Sequence, residues 1–256
     1  VRITWWGHST TTIEENGTRL LTDPVLTSRI AHVRRRRGPA PTAEAGRCDA
    51  ALVSHLHADH LHLTSLPLIA PDAALVVPRG AAKLIQVHSG AVYADRCIEV
   101  APGNQIRVGG LDITVVTAAH DGRRLPWSAY SAPALGFRVE GAPSVWFAGD
   151  TDLYDDLAAE AGPVDLALVP VGGWGPSLGP GHLDPVRAAE AVRRVGARAA
   201  VPVHFGTFWP IGCDWLKPEL FLPPGEQFKK VMAEVDPAVR VDLLMPGEST
   251  EVSDGG

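Results

Sequence analysis

The chain has 256 residues, 45% of them hydrophobic and 20% charged, with a formal net charge of -6 and a pI near 5.9. That composition is that of a folded globular protein long enough to bury a sizeable core, and it excludes an intrinsically disordered chain. The acidic balance argues against a general nucleic-acid binder, and no apolar run approaches the roughly 20 residues that cross a bilayer.

Strands are expected over residues 2–6, 11–13 and 19–22. Glu15-Asn16-Gly17 separates the last two, and Asn-Gly between β-prone runs signals a tight hairpin because both residues tolerate positive φ. Arg34-Arg35-Arg36-Arg37 is the strong charge run of the chain. It reads as a solvated loop, with capture of a phosphate or carboxylate as the sharper reading, since Arg pairs with both through two parallel bonds. Further strands are expected over 50–54, 74–77, 98–100, 105–108 and 111–117, the last two divided by Gly109-Gly110. Residues 135–140 and 144–148 form another pair around Gly141-Ala142-Pro143. In the second half, 165–171 is a near-continuous apolar run, the mark of a buried strand. Asp184 can cap a helix that has Pro185 at its first position and Gly196 at its end. Its expected apolar stripe is Val186, Ala189, Val192 and Val195, with Glu190 and Arg194 paired on the other face. A strand over 199–203 and a helix over 226–235 close the series. Two β-rich halves, each followed by helix, imply an α/β four-layer αββα sandwich in a single domain over 1–256.

The densest chemistry lies in His55-Leu56-His57-Ala58-Asp59-His60, directly after the apolar run 50–54. Histidine is the commonest metal ligand near neutral pH, and three of them with a carboxylate at a strand end point to a metalloenzyme. Three more apolar strands each lead to a candidate ligand: 111–117 to His120, 145–148 to Asp150, and 199–203 to His204. Ligands at the ends of several strands can converge on one edge of a sheet stack. The donor types suit zinc, manganese or iron. Cys48, Cys97 and Cys213 are scattered, lack CxxC spacing and read as thiols of a reducing compartment, so a cytoplasmic location is expected and a thiolate metal site is not. No secretory signal pattern is evident at the start.

HxHxDH followed by a lone His, a Gly-Asp pair and a final His resembles the metallo-β-lactamase fold. Trp6-Gly7-His8-Ser9-Thr10, Leu21-Thr22-Asp23-Pro24, Phe147-Ala148-Gly149-Asp150-Thr151, His182-Leu183-Asp184-Pro185 and His204-Phe205-Gly206-Thr207-Phe208 are similar to the branch holding N-acylphosphatidylethanolamine-hydrolysing phospholipase D and its bacterial relatives. The ascorbate-phosphate lactonases are a more distant neighbour. The resemblance implies two divalent metal ions, zinc first, with manganese or iron as alternatives. His55, His57 and His120 would hold the first ion; Asp59, His60 and His204 the second; Asp150 would bridge them. Two ions lower the pKa of a shared water, so a metal-bridged hydroxide can attack a phosphodiester, or a lactone as the alternative. Asp59 and Asp150 would orient that water, and His182 could protonate the leaving group. His182 and Trp174, on a Gly/Pro-rich loop, are the candidate substrate contacts. His8 and Asp23 lie in motifs near the site; Asp23 first, and His8 after it, are the candidates for orienting a metal ligand, with packing or turn roles as the alternative. His62 departs from the branch pattern, where a carboxylate follows Asp-His-Leu, and His32 and His88 read as surface histidines.

Two other classes fit less well. Gly175-Pro176-Ser177-Leu178-Gly179 matches GxSxG, but that motif needs a helix directly beyond the Ser, and Gly179-Pro180-Gly181 follows instead. A nuclease of the same fold is disfavoured by charge and length. A small-molecule or lipid-like substrate is therefore expected, with no nucleic-acid partner, and with peripheral membrane contact as an open possibility.

Overall fold

Asn16 and Gly17 both take positive φ, 49° and 75°, and close a turn in which Glu15 pairs with Thr18. The expected hairpin forms for the expected reason. The computed structural model describes residues 1–253. In chain order it contains β1 (Arg2–Gly7), β2 (Thr10–Glu15), β3 (Thr18–Thr22), β4 (Arg29–Ile30), β5 (Val33–Arg35), β6 (Ala50–Leu52), β7 (Ala74–Pro78), α1 (Ala81–Ser89), α2 (Ala91–Ala94) and β8 (Cys97–Val100). There follow β9 (Gln105–Val108), β10 (Leu111–Thr117), β11 (Leu135–Glu140), β12 (Val145–Phe147), α3 (Leu157–Ala161), β13 (Leu166–Pro170), α4 (Pro185–Arg194), β14 (Ala199–Val203), β15 (Phe208–Pro210), α5 (Pro223–Val235), β16 (Arg240–Val241) and β17 (Ser249–Glu251).

One sheet has the order β17-β1-β2-β3-β6-β7-β8 and the other β16-β14-β13-β12-β11-β10-β9. Their facing sides share one apolar core. Ile3, Trp5, Ile13, Leu20, Leu52 and Val76 come from the first sheet, and Ile113, Val115, Phe137, Val139 and Phe147 from the second. On the outer side of the first sheet, Ala51, Val53, Leu75 and Val77 pack with Leu84 and Ile85 of α1. Ala188, Ala189 and Val192 of α4 and Phe228 and Met232 of α5 cover the second. The αββα sandwich follows, because the central strands bury both faces and need partners on each side. Phe137 is fully buried in the middle of this core. Phe137→Ala is expected to lower stability by about 3–5 kcal/mol, measured by urea unfolding.

Strand directions place the functional edge. β1 and β3 each run antiparallel to β2, and β3 runs parallel to β6. β10 and β12 each run antiparallel to β11, and β12, β13 and β14 are parallel. Within the first sheet β1, β3 and β6, and within the second β10, β12, β13 and β14, therefore point their C-terminal ends the same way.

Several expectations need correction. Val186 is 61% exposed, and the buried stripe of α4 is Ala188, Ala189, Ala191 and Val192. A step of three residues falls short of the 3.6-residue turn, so over nine residues Val186 and Val195 drift to opposite faces. The Arg run is not wholly a solvated loop. Val33–Arg35 pairs with both Arg29–Ile30 and Phe208–Pro210 in a small third sheet, and Arg35 is buried. Strands this short carry no readable periodicity. The helix expected over 226–235 begins three residues earlier, at Pro223, where proline suits a first helical turn.

Candidate metal centre

β6 leads into Ser54 and His55, β10 into His120, β12 into Gly149-Asp150, and β14 into His204. β1 and β3 end at the same edge and deliver His8 and Asp23. His8, Asp23 and His204 hold φ values of 56°, 33° and 62°, in the left-handed region that residues other than glycine seldom occupy. Such strain collects where the surroundings over-determine a conformation, typically at functional sites. Gly149 has φ 63°, and a Cβ there would stand 2.7 Å from both the Leu135 carbonyl oxygen and Ser54 Cβ. Gly149→Ala is expected to lower thermal stability by more than about 1 kcal/mol and to displace Asp150, read by melting and by cation content.

The hydrogen bonds around the cluster fix how each imidazole presents itself. His120 Nδ1 lies 2.8 Å from the Gly181 carbonyl oxygen, and His204 Nδ1 lies 2.7 Å from that of Gly172. A carbonyl only accepts, so both Nδ1 atoms carry the hydrogen. His60 Nδ1 donates to Asp23 Oδ2 at 2.6 Å. Ser54 Oγ donates to Asp23 Oδ2 at 2.7 Å and so is left to accept from His55 Nδ1 at 2.9 Å. Each of these rings therefore turns an Nε2 lone pair inward, the arrangement of metal-ligating histidine.

The inward atoms form two groups. His55 Nε2 and His120 Nε2 lie 2.9 and 3.2 Å from His57 Nδ1. His60 Nε2 and His204 Nε2 are 3.2 Å apart, and each is 3.1 Å from Asp150 Oδ2. The same two nitrogens stand 3.5 and 3.6 Å from Asp59 Oδ2. Donors sharing one tetrahedral zinc ion, with bonds of about 2.0–2.1 Å, are about 3.3 Å apart. Asp150 Oδ1 is buried with no hydrogen-bond partner. An unpartnered carboxylate oxygen beside converging lone pairs calls for positive charge. The donor set thus fits bound metal cations.

The carboxylates of the site act on its imidazoles as they would act on a cation, by favouring positive charge beside them. Burial works against charge on every group, yet Asp150, Asp59 and Asp23 outweigh it at His60 and hold its pKa well above the usual imidazole range. Against the same burial, Asp150 pushes His204 up to about 9. Burial and then the neighbouring His204 take His8 down to about 3, and burial takes His120 down to about 4. Burial is overcome at Asp59 by His60 and at Asp150 by His204 and His60, so both carboxylates stay well below their ordinary range.

His182 Nε2 comes within 3.4 Å of Asp150 Oδ2, and its ring lies 4.6 Å from that of His120. Trp174 is partly buried and packs against the apolar cluster of Val25, Ile30, Val33 and Phe208, as does Ala58 of the HxHxDH segment, and its ring stands at a steep angle to that of His32. Ser177 is exposed, and the next helix begins only at Pro185, so the serine lacks the turn a nucleophile elbow requires. His62 is buried and bonds Ser65 Oγ at 2.8 Å, while His32 and His88 are exposed. Arg124 had no signal in the sequence. Its Nη1 donates to the carbonyls of Leu56 and Leu61 at 2.6 and 2.7 Å and ties down both ends of the cluster loop.

A four-layer sandwich with histidines and aspartates gathered at its strand ends defines the metallo-β-lactamase fold. The profile of the β-lactamase superfamily domain matches residues 18–205. A UPF0173 metal-dependent hydrolase from Methanopyrus kandleri is 33% identical over 98% of this chain and 100% of its own length. An N-acyl-phosphatidylethanolamine-hydrolyzing phospholipase D from Caenorhabditis elegans is 29% identical over 90% of this chain and 69% of its own. The metallo hydrolase Igni18 from Ignicoccus hospitalis superposes with a TM-score of 0.72 at 21% identity, covering 99% of both chains. The chain belongs to the metallo-β-lactamase superfamily of metal-dependent hydrolases.

Proposed function

We propose that this chain is a two-cation hydrolase of phosphodiesters, working as one domain. The observation that carries the two-cation part is the set of pinned Nδ1–H groups, which leaves the Nε2 lone pairs of His55, His60, His120 and His204 facing Asp150 and one another. His55, His57 and His120 would hold the first cation, and Asp59, His60 and His204 the second, with Asp150 available to both. Zinc is the ion that the imidazole-rich set suits best. When bound, the ions act as Lewis acids and lower the pKa of a coordinated water.

The chain's own residues supply the rest. Asp59 and Asp150 accept hydrogen bonds from the attacking water and so orient it. His182 is partly exposed and donates from Nδ1 to the carbonyl oxygens of Gly179 and Pro180 at 3.1 and 3.2 Å, which leaves Nε2 toward the site. Against burial, Asp150 raises the His182 pKa, and the imidazolium, which carries a hydrogen on Nε2 as well as Nδ1, hands the Nε2 proton to the departing oxygen and is left neutral. Trp174, packed on the same apolar cluster as Ala58, forms a wall for the substrate. The similarity to a phospholipase D supports the phosphodiester and a lipid-like substrate. A lactone is the second substrate class to test, because the same attack opens its carbonyl. No helix among the described residues is long and apolar enough to cross a membrane.

The test is a panel of aryl phosphodiesters and lactones with zinc-loaded protein. Phosphodiester turnover is expected to fall to background with a chelator, to return when zinc is restored, and to ignore a serine-directed sulfonyl fluoride. Turnover that survives complete removal of metal sinks the reading.

A further inference from the structure

The segment Trp6-Gly7-His8 holds an arrangement that hydrolysis, as described, leaves unused. His8 is 1% exposed, and its Nε2 lies 2.8 Å from Asp59 Oδ2. His60 and His204 turn their Nε2 atoms to the same oxygen at 3.5 and 3.6 Å. The two kinds of distance mean different things. The longer pair suits donors on a common ion, which stand about 3.3 Å apart around zinc. The shorter one is a direct, charge-assisted hydrogen bond. A carboxylate only accepts, so His8 Nε2 carries the hydrogen and has no lone pair to offer a cation.

The backbone is built to keep that ring in place. His8 sits at φ 56°. Its N–H donates to Thr207 Oγ1 at 2.8 Å. Its carbonyl accepts from Trp5 Nε1 at 2.8 Å and from the His204 N–H at 2.9 Å. A Cβ on Gly7 would come within 2.7 Å of both Arg35 Nη1 and Thr207 Cγ2, so the strand can pass only as glycine. Phe208 presents its ring to the edge of His8, with centroids 5.6 Å apart, and the Arg35 guanidinium lies 5.0 Å from the Phe208 centroid. Arg35 Nη1 also donates to the Trp6 carbonyl at 3.0 Å. The buried member of the arginine run thus braces the segment that carries His8.

We propose that His8 is a positioning residue for the second cation: its Nε2–H holds Asp59 with one oxygen set toward His60 and His204. The inference rests on the two-cation reading. It assigns His8 to one site only, because His55, His57 and His120 make no hydrogen bond to it among the described residues.

The experiment measures zinc per chain by plasma mass spectrometry across a series of buffered free-zinc concentrations, with folding followed by circular dichroism. Wild type is expected to take two ions. His8→Phe keeps a ring and removes the donor; it is expected to bind the second zinc about 10- to 100-fold more weakly, with the first unchanged. His8→Gln places an amide N–H near the old Nε2 position and is expected to restore the second ion to within several-fold of wild type. Thr207→Val removes the hydroxyl that accepts from the His8 N–H and donates to the Phe205 carbonyl, and is expected to weaken the second zinc several-fold. The proposal is overturned when His8→Phe binds both ions like wild type, or when His8→Gln loses the second ion as fully as His8→Phe. If His8→Phe does not fold, a folded Thr207→Val with wild-type zinc binding overturns it as well. A wild-type chain that takes a single ion defeats the two-cation reading itself, and that result is in hand before any variant is measured.

Discussion

Asp150→Asn is expected to lower phosphodiester turnover by about a thousand-fold and to leave fewer than two cations per chain. Asp150 is 1% exposed, and its Oδ2 is 3.1 Å from the Nε2 atoms of both His60 and His204. Its carboxylate lies within 4.8 Å of ring nitrogens of His55, His60, His120 and His182, and its Oδ1 has no protein partner. An amide keeps the volume but turns an NH2 toward one set of lone pairs and brings no negative charge. Losses of about 10²–10³ follow removal of a single well-placed electrostatic group from a dry site, and the proposed sharing of Asp150 by two ions puts it at the upper end. Metal analysis beside an activity assay reads both effects. An Asp150→Asn variant that retains two tightly held ions and full turnover would falsify the bridging role.

Asp23→Asn is expected to spare the fold and to weaken the second cation about 10- to 100-fold. Asp23 is fully buried and accepts from the Ser54 N–H and the Ser54 hydroxyl, each at 2.7 Å, and from His60 Nδ1 at 2.6 Å. An asparagine oxygen can still take the Ser54 N–H. Its NH2 then faces Ser54 Oγ and His60 Nδ1, two groups that have been donating. The remedy open to His60 is to move its hydrogen from Nδ1 to Nε2, and that blocks the lone pair a cation needs. Asp23→Ala removes the acceptor outright, strands buried donors, and is expected to cost about 3–5 kcal/mol of stability. Melting curves and zinc titrations of the two variants separate the tautomer effect from loss of the fold. Equal zinc affinity in Asp23→Asn and wild type counts against the assignment.

Both variants act through contacts that differ in how openly they stood in the sequence. Asp23 lay in Leu21-Thr22-Asp23-Pro24, and its part in orienting a histidine was expected from the resemblance. The imidazole it would orient was not, since His60 is thirty-seven residues away. The HxHxDH cluster was plain because its spacing is local and follows a recognisable strand. The hairpin at Asn16-Gly17 was plain because two adjacent residues needed positive φ. The stripe of α4 was misjudged because a three-residue step imitates a helical face only over a short span.

What the amino-acid order determined by itself was local: which runs alternate or stay apolar as strands, where turns demand glycine or asparagine, and which donor types follow which strands. Those properties depend on neighbours a few residues apart. Tertiary structure alone decided that Arg35 is buried against Phe208, that Arg124 pins the carbonyls of Leu56 and Leu61, and that His8 meets Asp59. Each of those pairings joins distant segments through the stacking of two sheets and the close passage of their strand ends. Burial, and with it the distinction between a solvated arginine and a brace or between a spare histidine and a clamp, exists only once the layers have closed.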